Sequence, residues 1–191
     1  LSNSQHKKFM GFFSDSVKVL DCTFGIQNSL KESLDGLSSE AEVAVREGYK
    51  HLILSDKQLS ENRTAIPMIL AFGVINSKLV NLGIRSFASI NIQTGEALDT
   101  HSFAVLLGIG ATTINPYLAF DSIYQRYEKK LFSNLSYEEC VQRYIKSVDN
   151  GLLKIMSKMG ISVLSAYRGG CNFETVGLSR AVVAEYFPGM I

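Results

Sequence analysis

His51-Leu52-Ile53-Leu54-Ser55, followed by Asp56, is the segment on which the reading of the fold turns. Its apolar centre does not alternate with polar residues. A strand of this kind is expected in the middle of a sheet covered on both sides, which is the habit of parallel sheets with helical crossovers. Upstream, Asn28 to Glu47 carries Leu30, Leu34, Leu37, Ala41 and Ala44 at three-or-four spacing and stops at Gly48, which predicts a helix. Gly36 weakens it by about 1 kcal/mol relative to alanine. Val19 to Phe24 reads as the strand before that helix.

Downstream, Asp56 to Thr64 is a polar loop. Ile66 to Leu82 is a helix with Pro67 in its first turn and Gly83 at its end. Ile84 to Ile92 reads as a third strand and His101 to Leu107 as a short helix. Gly108-Ile109-Gly110 then turns into a strand from Ala111 to Ile114. Asn115-Pro116 opens a helix reaching about Lys130. Ser136-Tyr137-Glu138-Glu139 is a capping box for a helix that can extend to Met159, with Gly151 as a potential interruption. Ser162 to Tyr167 reads as a last strand, Arg168-Gly169-Gly170 as its turn, and Phe173 to Phe187 as a partly helical end. The expected fold is a single α/β domain over 1–191: a mostly parallel sheet of about five βα units, an incomplete TIM-barrel-like architecture. An open doubly wound sheet fits the same pattern.

Composition narrows the function. Nineteen basic and 18 acidic residues leave a net charge of +1, so no field of one sign recruits nucleic acid or an anionic membrane. The longest apolar run, Ile66 to Ile75, is too short to span a bilayer. Cys22, Cys140 and Cys171 are odd in number and dispersed, which suggests neither a disulfide framework nor a zinc site. They read as buried thiols in a reducing compartment. The chain starts at Leu1 without a methionine and stops just after Pro188-Gly189, and is expected to be a segment of a longer polypeptide.

Sites in parallel α/β folds sit at the C-terminal ends of strands. The candidates there are Thr23, Ser55-Asp56, Gln93-Thr94-Gly95-Glu96, Asn115 and Arg168-Gly169-Gly170. Arg168 beside two glycines suits a phosphate. Asp56 is a conceivable general base, although a loop or cap hydrogen bond explains it more simply. Asp99 with His101 could form an oriented base, and equally Asp99 or Thr100 could cap a helix. His51 reads as a satisfied core or edge histidine and His6 as exposed. Lys57 with Arg63 reads as a solvated pair. Gly108-x-Gly110 lacks the context of a dinucleotide fingerprint. The residue chemistry therefore describes a domain without a self-contained active site: no catalytic, cofactor or metal residue is assigned. A small phosphate- or nucleotide-binding enzyme using Asp56, Glu96 and Arg168 is the alternative.

Several stretches together resemble one family. Leu20-Asp21-Cys22-Thr23-Phe24, Ala41 to Asp56, Ile66-Pro67, His101 to Gly108, Gly110 to Ala119, Lys154 to Gly169 and Phe173 to Leu178 are similar, in order, to blocks of the glutamate synthase large subunit. Ser102, Val163 and Gly170-Cys171-Asn172 depart from the usual family residues. The resemblance implies the C-terminal half of the central domain, with 150–191 leading toward an FMN-binding barrel. It also implies a parent oxidoreductase of ammonia assimilation that converts glutamine and 2-oxoglutarate to glutamate. FMN and a 3Fe-4S cluster would belong to that parent and not to this chain. Partners would be the neighbouring glutaminase and FMN domains, and a small NAD(P)H-dependent subunit or ferredoxin. The location would be cytoplasm or plastid stroma.

Overall fold

The structure is a computed structural model and describes residues 1–170 and 172–188. The elements in chain order are α1 (Asn3–Phe12), β1 (Val17–Asp21), β2 (Thr23–Gly25), α2 (Leu30–Arg46), β3 (His51–Ser55), β4 (Arg63–Ala65) and α3 (Met68–Asn81). They continue with β5 (Ser89–Gln93), α4 (Thr100–Gly108), β6 (Thr113–Asn115), α5 (Tyr117–Glu128), α6 (Tyr137–Lys158), α7 (Leu164–Tyr167) and α8 (Arg180–Tyr186).

β1, β3, β5 and β6 form one four-stranded sheet in that order, and every pair is parallel. Sequential neighbours joined by helices require crossovers of one hand, which stacks the helices on one face. The register explains that face. Leu20 lies opposite Leu54, Leu52 opposite Ile90, and Ile92 opposite Ile114. These side chains are buried in one cluster with Leu34 and Leu37 of α2, Leu79 of α3 and Phe103 of α4. Each buried Leu or Ile contributes about 1.5–3 kcal/mol relative to exposure.

The other face carries the alternate residues: His51, Ile53 and Ser55 on β3, Ser89, Asn91 and Gln93 on β5, and Thr113 and Asn115 on β6. Helix α1 lies over it. Phe9 and Phe13 pack on the His51 ring at 5.3 and 4.3 Å, and Asn3 accepts from Asn115 Nδ2 at 3.0 Å. A closed capping box starts α1, with Ser2 Oγ accepting from the Gln5 N–H and Gln5 Oε1 from the Ser2 N–H.

The architecture is thus an α/β fold with a parallel sheet flanked by helices, as an incomplete barrel would be. Several local expectations need correction. The first strand breaks at Cys22, because β2 leaves the sheet to pair antiparallel with β4. β4 lies in what reads as a polar loop. Ile84 to Ile92 is a strand only from Ser89, since Arg85–Phe87 forms a 3₁₀ turn. Ser162 to Tyr167 is not a strand but a turn into α7, held where Tyr167 Oη donates to Ala104 O at 2.9 Å. Among the described residues the parallel strands therefore number four, not five. Gly151 does not interrupt α6. It lets α4 approach so closely that a Cβ there would meet Thr100 at 2.5 Å. Residues 172–188 fold back on the same core, with Val183, Tyr186 and Phe187 buried in it.

Candidate functional site

The C-terminal edge of the parallel sheet gathers most of the polar groups singled out from the sequence. Asp56 follows β3 and is 2% exposed. Its carboxylate accepts from Thr94 Oγ1 at 2.5 Å and from the Gly95 N–H at 3.0 and 3.1 Å. The Tyr117 hydroxyl lies beside it. Burial, then the Asp56 charge, pushes that phenol well above its usual range, so it stays protonated and donates to the carboxylate. Lys57 Nζ stands 5.0 Å from the Tyr117 ring centroid. Glu96 caps α3 by accepting from the Met68 N–H at 3.1 Å. Desolvation and, secondarily, the charge of Asp56 raise its pKa, and the Met68 bond opposes them.

A second chain of bonds runs across the strand ends. Ser55 Oγ donates to Gln93 Oε1 at 2.9 Å, and Gln93 Nε2 donates to Asn115 Oδ1 at 3.1 Å. Further along the same face, His51 Nδ1 meets Ser89 Oγ at 2.8 Å. Thr113 Oγ1 donates to Asn91 Oδ1 at 2.8 Å. Among the described residues, every buried side-chain nitrogen and oxygen has a hydrogen-bond partner. The carboxylate of Asp56 is thus spent on fixing the β5–α4 loop against β3 rather than aimed at open space.

Thr23 is likewise consumed. Asp21 Oδ1 accepts from its N–H and hydroxyl at 3.0 and 2.7 Å, and Arg63 Nε donates to its Oγ1 at 2.9 Å. Arg63 Nη2 also reaches Asp21 Oδ2 at 2.6 Å. Arg63 is therefore no solvated companion of Lys57; it ties β4 to β1. Asp99 caps α4, accepting from the Ser102 N–H and Oγ at 2.9 and 2.7 Å. Those bonds from Ser102 hold its pKa down, with His101 contributing less. His101 is exposed, and Asp99 serves as a cap rather than as the partner of a base. His6 is buried, contrary to its expected exposure, because it points from α1 toward the sheet.

Arg168 is not part of this edge. It lines a hollow with Lys50, Ser89 and Thr112, which lie at or just before the starts of β3, β5 and β6. Asp56 and Glu96 are thus together and Arg168 is at the opposite rim, so the three do not form one phosphate-handling site. Tyr117 and Arg85 were not among the sequence candidates. Tyr117 reads from sequence only as the start of a helix after Asn115-Pro116, and the basic Arg85 as part of a strand.

The fold and its strand ends define a partial-barrel α/β domain whose polar edge residues hold loops in place. The chain belongs to the glutamate synthase central domain family, whose model matches residues 1–179. The glutamate synthase [NADPH] large chain of Azospirillum brasilense is 46% identical over 194 residues, covering 100% of this chain and 13% of that protein. The corresponding chain of Bacillus subtilis is 40% identical over 189 residues, covering 99% and 12%. The chloroplastic ferredoxin-dependent glutamate synthase of Oryza sativa is 42% identical over 189 residues, covering 91% and 12%. The chain thus spans 12–13% of the length of these relatives.

The residues present do not fit the redox groups that the resemblance implies for a parent enzyme. Cys22 and Cys140 are both buried, on the β1–β2 link and on α6, and no group of three His, Cys, Asp or Glu among the described residues could hold a metal. Cys22 Sγ lies 3.7 Å from Leu20 O, and burial pushes its thiol far up. Cys171, expected to be a third buried thiol, lies outside the described residues. The Arg168-Gly169-Gly170 turn sits at the wrong edge to hold a flavin phosphate at the strand C-termini. Among the described residues no helix is long and apolar enough to cross a membrane.

Proposed function

We propose that this chain is a structural inter-domain module of a glutamate synthase large chain, joining a glutaminase domain to an FMN domain without an active site of its own. The consumption of Asp56 is the observation that carries this reading. The most buried carboxylate at the strand ends clamps the Thr94-Gly95 turn, and Glu96 beside it caps a helix. Residues from about 150 onward would lead toward the FMN barrel. The assembled enzyme would convert glutamine, 2-oxoglutarate and reducing equivalents to glutamate, using FMN and a 3Fe-4S cluster held by other domains. A small NAD(P)H-dependent subunit or ferredoxin would deliver the electrons, in the cytoplasm or the plastid stroma.

Rigidity is the contribution of such a module. A displacement near 1 Å between distant reacting groups costs about a hundredfold in rate, so a packed sheet that fixes their separation serves catalysis. The purified chain mixed with glutamine, 2-oxoglutarate and a reductant should produce no glutamate, and turnover there would overturn the reading. In the full-length large chain, Glu96→Gln should leave kcat and its pH profile within about twofold of the parent, because the side chain reaches no reacting atom. A loss of several orders of magnitude with a displaced pH profile would make Glu96 a reacting group.

A further inference from the structure

The N-terminal edge of the sheet holds an arrangement that the scaffold role does not use. A hollow of about 390 Å³ opens there, with Lys50, Arg85 and Arg168 among its lining residues. Among the described residues, neither an aspartate nor a glutamate lines it. The ion pairs found among the described residues use Lys18, Lys31, Arg46, Arg63 and Lys78, so none of these three cations is neutralised by one. Ser86, Ser89 and Thr112 add hydroxyls to the same wall.

Arg85 is fixed before any ligand arrives. Its Nε donates to Asn76 Oδ1 at 2.7 Å and its Nη1 to Ala88 O at 2.8 Å. Those two bonds set the plane of the guanidinium and leave Nη2 outside them. Arg168 comes from the far side, on the turn after α7, where Gly169 at φ +73° redirects the chain. Gly169 and Gly110 approach closely: a Cβ on Gly110 would be 3.8 Å from Gly169 Cα. Both glycines have positive φ, +119° at Gly110 and +73° at Gly169, and their turns lie in contact, which sets the Arg168 turn against the strand starts. Desolvation, and then repulsion from Arg168, lowers the Arg85 pKa, so the two guanidinium groups are close enough to disfavour each other.

We propose that Arg85, Arg168 and Lys50 form an oxyanion site for a phosphate group, either inorganic phosphate or a phosphate monoester. Like charges held together with no counter-charge are stabilised most by a multivalent anion. A phosphate offers enough acceptor oxygens to take one fork from each arginine together with hydroxyl donors, whereas a single carboxylate satisfies one fork. The site faces away from the Asp56 edge and does not depend on what the assembled enzyme does.

Titration of the 191-residue chain with inorganic phosphate, followed by calorimetry at fixed ionic strength, tests this directly. Saturable binding to one site is expected, with a rise in Tm as phosphate is added. Arg168 is exposed, and Arg168→Ala should fold normally and weaken binding by about tenfold or more. Arg168→Lys, which keeps the charge and loses the fork, should fall between the two. Glucose 6-phosphate binding more tightly than phosphate would assign the monoester as ligand, and the reverse would assign the free ion. Binding that stays unsaturated above about 10 mM, equal affinity in Arg168→Ala, or acetate binding as well as phosphate would each overturn the proposal.

Discussion

Replacing Gly151 with alanine tests how α6 is packed on α4. Inside a helix, this change alone stabilises by about 1 kcal/mol, because alanine has less backbone freedom to lose. Here the new Cβ would lie 2.5 Å from both Cγ2 and Oγ1 of Thr100 and 3.0 Å from its Cβ. A rotamer change moves the first two atoms but not the third, so the helices must separate. Overpacking costs about 1–3 kcal/mol, and three blocked atoms place this case in the upper half of that range. The net effect is a loss of about 1–2 kcal/mol. Gly36 in α2 is the control, since nothing lies within 4 Å of its Cβ position. Gly36→Ala should therefore gain about 0.5–1 kcal/mol. Urea denaturation followed by circular dichroism reads both, with shifted midpoints and unchanged slopes. Thr100→Ala removes the two nearest obstacles and leaves only the Cβ at 3.0 Å, so the double variant should recover part of the loss, with a coupling of about 0.5–1 kcal/mol. Stabilisation of Gly151→Ala equal to that of Gly36→Ala would refute the reasoning.

Asp56→Ala leaves the Thr94 hydroxyl, the Gly95 amide and the Tyr117 hydroxyl without their shared acceptor, and should cost about 2–4 kcal/mol in the same urea assay. Glu96 has a raised native pKa, so its contribution is most favourable below its ordinary value of 4.5 and is lost as pH rises through the native value. The stability of Glu96→Gln relative to the parent should therefore improve between pH 4 and pH 7, measured as the difference between two denaturation series. A constant or falling difference would contradict the desolvation argument. The Cys22 thiol, fully buried and held protonated, should resist maleimide in the folded chain and react after denaturation, as peptide mass spectrometry of the labelled protein would show.

Much of the frame is legible in the sequence because local and tertiary signals agree there. His51–Ser55 is a strand to the residue, the Ser136 capping box starts α6, and the expected helix over 28–47 is found at Leu30–Arg46. The errors over strands share one cause: strands need neighbours that local pattern does not announce. Ser162 to Tyr167 has strand-like composition but no ladder beside it, and the buried Tyr167 bonds to α4 instead. β4 looks like loop because it is three residues long and exists only through pairing with β2. Helix α1 is a separate case, since its signal is the spacing of Ser2 and Gln5 in a capping box at an otherwise polar start. His6 was misplaced for that reason, since a histidine on a helix against a sheet is buried where one in a loose terminus is not. At the site, the positions of Asp56 and Glu96 just after two strands place them at one edge of the sheet, whereas the partnership with Tyr117 follows only from the return of the chain after β6. Arg168 lies at the opposite rim from the expected one because Leu164–Tyr167, which precedes it, is helical and not a strand.

The choice between an open doubly wound sheet and a partial barrel rests on the face away from the core. A doubly wound sheet places helices on both sides and needs apolar residues on both. Here β5 alternates Ile90 and Ile92, which face the core, with Ser89, Asn91 and Gln93, which do not. On β6, Thr113 and Asn115 continue the polar row while Ile114 continues the apolar one. The polar residues bond sideways to one another, Thr113 to Asn91 and Gln93 to Asn115, across adjacent strands. Lateral pairing satisfies most of these groups, and helix α1 covers the row, with Asn3 accepting from Asn115 Nδ2 and Phe9 and Phe13 on the His51 ring. Ile53 on this face is apolar and fully buried, and Val17 and Val19 of the edge strand are apolar too, Val19 being 46% exposed. The polarity of this row, together with strand order that follows the chain, is compatible with a segment of a barrel, where strands succeed one another around the sheet, more than with the reversed strand order of a nucleotide-binding fold.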